Sequence, residues 1–363
     1  MVLQKAPEGC FVGLWTDDAE VTVFLSGGPV TNNAPTVSVA AGKWRMTLVP
    51  MEAGGPYNLT AVLQNNHGIT LTDVLFGDVW LCGGQGNMAF TTSLVFNVSE
   101  ELARVSKFPQ VRIFMAALEQ SDTELTDLAG VEVPWSVPTA KAWSSPRALQ
   151  HCDLDRINGF PMPYTPSMYL SKRTNSVLWN AMIHPLLNMT IKGAIWYQGK
   201  TAWGLYIYPE VSTYRKASLS EGFPNIRWHQ TADYGFAPNL RMKNTFMAVA
   251  MDLGDEMSPF GSIHPRDKQD VAYRLSLGAR AVAYGEEGVS FQGPFPRWVL
   301  VNDQYINVTY DQSVCHSFER YFSAGLRYAW RDWPCDFKAC PVYSADGVLP
   351  APPFTPNRWP DKQ

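Results

Sequence analysis

Hydrophobic and polar residues alternate in short stretches along the first 72 residues of the chain. Alternation at every second position is typical of a β-strand with one buried face. Turns rich in glycine and proline separate these stretches, among them Gly27-Gly-Pro29 and Gly54-Gly-Pro56. The pattern predicts an all-β N-terminal domain of sandwich type over residues 1–72, with strands at residues 21–25, 36–40, 44–48 and 57–62.

The pattern then changes to three longer hydrophobic runs, at residues 74–82, 191–197 and 245–251. Such runs are typical of strands that are buried on both faces of a parallel sheet. After the third run, hydrophobic residues recur every three or four positions from Val271 to Val282, which predicts a helix. Strand, loop and helix in series predict an α/β domain over residues 73–290.

The last part of the chain, residues 291–363, returns to a β-type pattern, with a predicted strand at residues 305–310. The proline-rich tail that begins at Leu349 is predicted to be poorly ordered. The fold class predicted for the whole chain is therefore α/β, with a parallel sheet core flanked by β-sandwich-type regions.

The composition indicates a globular protein of more than one domain, because 46% of the 363 residues are hydrophobic and 17% are charged. The net charge of −4 includes no basic stripe, which argues against nucleic acid and anionic membranes as partners. No hydrophobic segment approaches the ~20 residues that a membrane span needs. The chain opens without a basic and hydrophobic leader segment, which by itself predicts a cytosolic protein.

Six cysteines and four glycosylation sequons favour an oxidising compartment instead, although sequons also arise by chance. The cysteine spacings match no zinc site, and no metal or other cofactor is predicted. A disulfide among Cys315, Cys335 and Cys340 is one alternative, and buried free thiols are the other. The candidate glycosylation sites are Asn58, Asn97, Asn188 and Asn307.

Three loops follow the predicted buried strands, and ligands bind at such strand ends in open α/β sheets. The first loop, residues 83–88, has the glycine-rich turn that presents a nucleophile in many hydrolases. The second loop contains Gln198, whose backbone amide N–H could donate to an oxyanion. In the third loop His264 precedes Pro265, which predicts a place at a helix N-terminus. There the dipole favours the neutral imidazole that a general base needs.

A serine, a histidine and an oxyanion donor on these loops would form an esterase site, but the first loop lacks a serine. The loops resemble three blocks of the sialate O-acetylesterases. Residues 78–88 read D-V-W-L-C-G-G-Q-G-N-M, where the family has D-V-W-L-C-S-G-Q-S-N-M. Residues 194–199 resemble the family's W-Y-Q-G-E block and residues 261–275 its histidine block, and the likeness runs from residue 1 to about residue 352.

The resemblance implies an SGNH-hydrolase-like core and the removal of O-acetyl groups from sialic acids or sialoglycans, in lysosomes or outside the cell. The family uses a serine nucleophile and a histidine base. On this chain the nucleophile position is Gly86 and the base is His264. Gln198, Gly199 and Asn87 fall at oxyanion or substrate positions.

The acid that would orient His264 stays open between Asp252 and Asp255, and either could also be a solvated loop carboxylate. Simpler roles exist for other candidates as well. Gln198 could be an ordinary loop amide, and Ser262 is at most a helix-capping hydroxyl. His184 and His229 are predicted to be structural.

The departures from the family bear on activity, because a glycine at position 86 can form no acyl-enzyme. Lys200 reverses the charge of the family's glutamate, and Ala202 removes an amide. Residues 134–136 run almost directly into residues 142–144, where the family has about one βα unit that includes a glycine of the oxyanion hole. The chain also lacks stretches after Trp203 and in the C-terminal β region. The sequence predicts an O-acetylesterase by descent with little or no activity. The alternatives are a sialic-acid-binding pseudoenzyme and a non-functional truncated product.

Overall fold

The computed structural model divides into two compact units. The first is formed by Met1–Gly83, Ser99–Arg147 and Pro163–Trp196, and the second by Gly84–Val98, Ala148–Met162 and Tyr197–Gln363. The structure describes residues 1–5, 9–14, 18–27, 32–33, 36–63, 68–84, 86–139, 176–197, 222–259, 264–301, 305–311, 315–319, 326–331 and 333–355.

Strands outnumber helices in the described residues. The strands are β1 (Val2–Gln4), β2 (Gly9–Leu14), β3 (Glu20–Ser26), β4 (Asn32–Asn33), β5 (Val37–Ser38), β6 (Lys43–Leu48), β7 (Gly54–Leu63), β8 (Gly68–Gly77), β9 (Trp80–Gly84), β10 (Ile113–Ala116), β11 (Val131–Ser136), β12 (Gly193–Tyr197), β13 (Pro296–Val301), β14 (Tyr305–Tyr310) and β15 (Cys315–Glu319). The α-helices are α1 (Gly86–Ala89), α2 (Val98–Val105), α3 (Gly222–His229) and α4 (Gln269–Gly278). Short 3₁₀ turns lie at Thr92–Leu94 and His184–Leu186, and π turns at Trp179–Ile183 and Ala279–Ala283.

The first unit contains a sheet with the strand order β1-β8-β7-β3-β4, in which β5 also pairs with β3. A separate two-stranded ladder joins β2 and β6. Buried and exposed residues alternate along β3 and β6, as the sequence pattern predicts for strands with one buried face. Their buried residues Val23 and Met46 form one core together with Leu59 of β7. The predicted strands at residues 21–25, 44–48 and 57–62 are confirmed, and of the strand predicted at residues 36–40 the structure has Val37–Ser38.

The hydrophobic run at residues 74–82 is not a single strand, which corrects the prediction. It is divided at Asp78, because the first half ends β8 and the second half begins β9. The Gln4 side chain binds the two residues between these strands. Its Nε2 donates to Asp78 Oδ1 at 3.1 Å, and its Oε1 accepts from Val79 N at 2.9 Å. Strand β8 pairs antiparallel with β7 and parallel with β1, so the N-terminal sheet continues beyond residue 72 to Gly77.

The predicted strand at residues 191–197 is confirmed as β12, which pairs with β9. Glycines permit a close approach of the two strands. A Cβ on Gly193 would lie 2.7 Å from the Trp80 ring, and one on Gly83 would lie 2.8 Å from the Trp196 ring. The contacts advance along both strands in the same direction, as in a parallel pair. Strand β9 leads directly toward the glycine-rich first loop.

The third hydrophobic run does not form a strand, since no ladder includes residues 245–251. Within this run the Val249 carbonyl accepts a hydrogen bond from Arg274 Nη1 at 2.6 Å. The helix predicted beyond this run is confirmed as α4, which continues into the π turn at Ala279–Ala283.

The C-terminal region of the second unit forms an antiparallel sheet with the order β13-β14-β15, and the predicted strand at residues 305–310 is confirmed. The tail is not poorly ordered as far as residue 355, which corrects the prediction. Ala351 and Phe354 lie in the core of this unit, and Phe354 exchanges backbone hydrogen bonds with Tyr328. Residues 356–363 lie outside the described part of the chain.

Cys335 and Cys340 form a disulfide, so the first of the two alternatives for the C-terminal cysteines is confirmed. The loop between them carries Lys338. Its N–H donates to Asp252 O at 2.8 Å, and its Nζ lies 2.9 Å from Asp267 Oδ2 and 2.8 Å from Asp270 Oδ2. The disulfide therefore holds a loop that contacts the chain on both sides of residue 264.

Reduction of this disulfide is expected to lower the melting temperature by several degrees. Closing so short a loop lowers the conformational entropy of the unfolded chain and thereby stabilises the folded protein by about 2 kcal/mol. The measurement is a thermal melt with and without dithiothreitol. A Cys335→Ser variant should melt at the lower temperature under both conditions, and Cys82→Ser, which removes a free thiol, should melt like the parent. An unchanged melt of the reduced parent would refute the expectation.

The described residues thus form a protein of mixed α and β structure with few helices. None of the helices in the described ranges is long and apolar enough to cross a membrane. The boundaries predicted at residues 72/73 and 290/291 stay predictions.

Candidate active site

Position 86 faces His264 directly. Gly86 is the first residue of α1, and a Cβ built on it would lie 2.5 Å from His264 Nε2 and 3.1 Å from Cδ2. A side chain at this position would therefore point at the imidazole nitrogen that a general base uses. The structure brings together the two residues that the sequence pairs as lost nucleophile and base.

The close packing of the first loop depends on a second glycine. Gly84 has a φ of +152°, and a Cβ on it would lie 2.4 Å from Tyr197 O. Side chains are excluded there both by the backbone conformation and by the neighbouring carbonyl. The sequence after β9 can thus turn sharply into α1 and present position 86 at the strand end.

Side-chain hydrogen bonds hold the segment that carries His264 against the residues that precede it. Ser258 Oγ donates to His264 O at 2.8 Å. Two residues further on, the Arg266 guanidinium binds Asp255 through Nε at 2.7 Å and Nη2 at 3.0 Å. Burial alone would raise the pKa of Asp255, but the hydrogen bonds and charge of Arg266 outweigh it and hold the pKa below its usual value.

His264 does not lie at a helix N-terminus, which corrects the prediction drawn from Pro265. Helix α4 begins at Gln269, five residues after the histidine. Arg266 is held by Asp255, and its carbonyl accepts from Phe96 N at 3.1 Å. The Asp267 carboxylate accepts from Asp270 N at 3.2 Å, so the first helical turn starts beyond it. The helix dipole therefore does not explain a neutral imidazole here.

Asp252 is buried in an ion pair. Arg274 Nη1 and Nη2 donate to its two oxygens at 2.6 and 2.8 Å, and Tyr343 Oη donates to Oδ2 at 3.0 Å. Asp252 is 0% exposed and Arg274 is 4% exposed. Burial, with a smaller contribution from Asp252, raises the pKa of Tyr343 to about 12. In the described residues Asp252 pairs with Arg274 and Asp255 pairs with Arg266. Both ion pairs join chain segments that lie before and after His264.

Lys268 is a site residue that the sequence reasoning missed. Its Nζ donates to Asn87 Oδ1 at 2.5 Å and lies 4.7 Å from the centre of the Phe90 ring and 5.0 Å from that of Tyr197. Burial raises the pKa of the Tyr197 hydroxyl, and the Asp267 charge adds to the rise. No local pattern in the sequence identifies Lys268, because its contact with Asn87 joins residues 181 positions apart.

The second loop lies outside the described residues, so Gln198, Gly199 and Lys200 stay predictions, and so does Ser262. The side chains of Asn58, Asn97 and Asn188 are exposed, and Asn307 is half-buried on β14. Glycosylation at these positions also stays a prediction.

The two other histidines singled out from the sequence contact neighbouring polar groups. His184 Nδ1 donates to Leu125 O at 2.8 Å, and its Nε2 lies 3.3 Å from Glu124 Oε2. His229 contacts Asp233 one turn further along the chain. Among the described residues, no three His, Cys, Asp or Glu side chains are grouped in a way that could hold a metal ion.

A solved carbohydrate acetylesterase from Xanthomonas citri has a similar fold, with a TM-score of 0.72 and 22% sequence identity over 99% of this chain and 97% of that chain. This chain therefore shares the fold of that protein. Residues 291–358 match the family model of the sialate O-acetylesterase C-terminal domain. Sialate O-acetylesterase from Rattus norvegicus is 37% identical over 499 aligned residues, which cover 98% of this chain and 92% of that protein. The chain belongs to the sialate O-acetylesterase family.

The alignments also show what this chain lacks. The enzyme from Homo sapiens is 38% identical over 475 residues, with 98% of this chain and 90% of that protein covered. Both alignments are longer than this chain of 363 residues, the rat one by 136 positions. Segments of the relatives therefore have no counterpart in this chain.

Proposed function

We propose that this chain is a sialate O-acetylesterase relative that has lost ester hydrolysis. The observation that carries the proposal is the approach of position 86 to His264: the residue that faces the proposed base has no side chain. The ester bond of an O-acetylated sialic acid would meet a base without a nucleophile. The core would be of the SGNH type, which the parallel approach of β9 and β12 supports.

A second candidate function is binding of O-acetylated sialic acid or a sialoglycan without turnover. The described contacts of Lys268 with Asn87 and of Arg266 with Asp255 favour it, because they keep the site framework in place although the nucleophile is absent. The disulfide between Cys335 and Cys340 agrees with a place in the lysosome or outside the cell, where such sugars occur.

Saturation-transfer NMR on the purified protein tests both candidates in one sample. Signals of an O-acetylated sialic acid should receive saturation while its acetyl ester stays intact over hours. The de-acetylated sugar is the matched control ligand and should bind more weakly. Release of acetate at an enzymatic rate would refute the loss of hydrolysis, and absence of saturation transfer would refute binding.

A further inference from the structure

We infer that Lys268 is a positioning residue, which fixes Asn87 and the start of α1 against the segment that carries His264. The inference rests on the proposed roles of position 86 and His264. It assigns a function to a residue that contacts neither position 86 nor His264 in any described hydrogen bond. Lys268 instead contacts the residue that directly follows position 86.

The ammonium group of Lys268 is held from several sides. Asn87 Oδ1 accepts its hydrogen bond at 2.5 Å, and the rings of Phe90 and Tyr197 lie within 5.0 Å of it. The negative faces of aromatic rings attract a cation, and partial burial strengthens this attraction. A flexible lysine side chain is thereby confined to one position at the end of α1.

This contact also sets the direction of the Asn87 amide. An ammonium group can only donate hydrogen bonds, so the carbonyl oxygen of the amide must face Lys268 and the NH₂ group must face away from it. The backbone N–H of the residue after a nucleophile is a common oxyanion donor in hydrolases. Lys268 therefore restrains both donor groups of Asn87 beside position 86.

The two ends of the contact belong to the two pieces of chain that form the site. Asn87 adjoins position 86 on α1, and Lys268 lies four residues after His264, just before α4. The hydrogen bond thus limits how far position 86 and His264 can separate. If Lys268 contributed only to stability, breaking its hydrogen bond with Asn87 would leave the pairing of residues 86 and 264 unchanged.

A thiol placed at position 86 reports on this pairing without any need for esterase turnover. In a Gly86→Cys, Cys82→Ser protein, the rate of alkylation by iodoacetamide at residue 86 is followed against pH by peptide mass spectrometry. A thiol beside a well-placed imidazole ionises below its ordinary value of about 8.5. We expect the pH midpoint of alkylation at residue 86 to lie at least one pH unit below this ordinary value. His264→Ala should return the midpoint to the ordinary value.

Adding Lys268→Met keeps the length of the side chain and removes the donor. The midpoint is expected to return by about one pH unit toward the ordinary value, with roughly tenfold slower alkylation at pH 6.5. Lys268→Arg should retain most of the effect, because it keeps a donor and a charge. Lys243→Met is the matched control, since it removes an ammonium at an exposed position of the same unit, and it should not move the midpoint.

A double-mutant cycle separates positioning from the charge of Lys268 acting through space. Asn87→Leu leaves the charge but breaks the hydrogen bond, so it should reproduce the Lys268→Met midpoint, and the two changes together should add nothing further. Full additivity, or an unchanged midpoint in Lys268→Met, would overturn the inference. An unchanged midpoint in His264→Ala would instead refute the proposed pairing of residues 86 and 264.

Discussion

Neither the purified protein nor its Gly86→Ser variant is expected to hydrolyse aryl acetates or O-acetylated sialic acid measurably above the buffer rate. Loss of the serine from a serine hydrolase costs about 10⁶-fold in turnover. The rate that remains without the serine is about 10³–10⁴ over water and depends on an intact oxyanion hole. Acetate release, followed over hours with the rat enzyme as the active reference, measures both proteins.

The variant is expected to stay inactive because the serine is not the only missing part. By resemblance, the family's oxyanion-hole glycine is expected in a segment that is absent between residues 136 and 142, and one such donor lowers the barrier by about 3–4 kcal/mol. Hydrophobic residues near this point are exposed: Val131 is 47% exposed and Val137 is 40% exposed. We therefore also expect binding of a hydrophobic dye.

Two outcomes would contradict this expectation in different ways. Ordinary turnover by Gly86→Ser would show that the missing segment is peripheral to the site. Hydrolysis by the parent that a serine-directed fluorophosphonate blocks would reveal another nucleophile, and Ser93 is the nearest candidate in sequence. The Ser93 hydroxyl is hydrogen-bonded to that of Thr91 at 2.7 Å. A Ser93→Ala variant would identify it.

Arg274→Met is expected to destabilise the protein by about 3–5 kcal/mol and to lower its melting temperature by about 10 °C. The substitution leaves the Asp252 carboxylate fully buried with no cation beside it, and a buried unpaired charge is among the costliest defects in a folded protein. The Val249 carbonyl loses its donor as well. Differential scanning calorimetry measures the change.

Arg280→Met is the matched control, because Arg280 follows α4 closely and pairs with Glu286 at the surface. Exposed ion pairs contribute little to stability, so this variant should melt like the parent. The double variant Arg274→Met, Asp252→Asn should recover part of the loss, since it removes the buried charge. If Arg274→Met melts within two degrees of the parent, the ion pair does not hold the framework.

Local sequence patterns predicted the strands that pack one face against a core. Alternation identified β3, β6 and β7 because each has one face in a continuous core. The hydrophobic run at residues 245–251 forms no strand, and its Val249 carbonyl accepts from Arg274, which lies 25 residues further along the chain. No local pattern contains that contact. The proline after His264 predicted a helix start at that point, but the structure begins the helix at Gln269, and Arg266 between them pairs with Asp255.

Sequence motifs predicted which residues lie at the candidate site. They did not predict the roles that depend on contacts with distant residues. The family blocks predicted position 86 and His264 as lost nucleophile and base, and the structure places these two residues next to each other. The ion pairs of Asp252 and Asp255 depend on arginines that lie 22 and 11 residues further along the chain. The packing of Phe354 into a core depends in the same way on its pairing with Tyr328.

The approach of His264 to Gly86 has a consequence for any substitution at residue 86. His264 Nε2 lies 2.5 Å from the point where a β-carbon of residue 86 would stand. The imidazole, which is the far end of a flexible side chain, would have to move by about an ångström before a serine or a cysteine there could form a hydrogen bond with it. Each side chain introduced at residue 86 therefore also repositions His264.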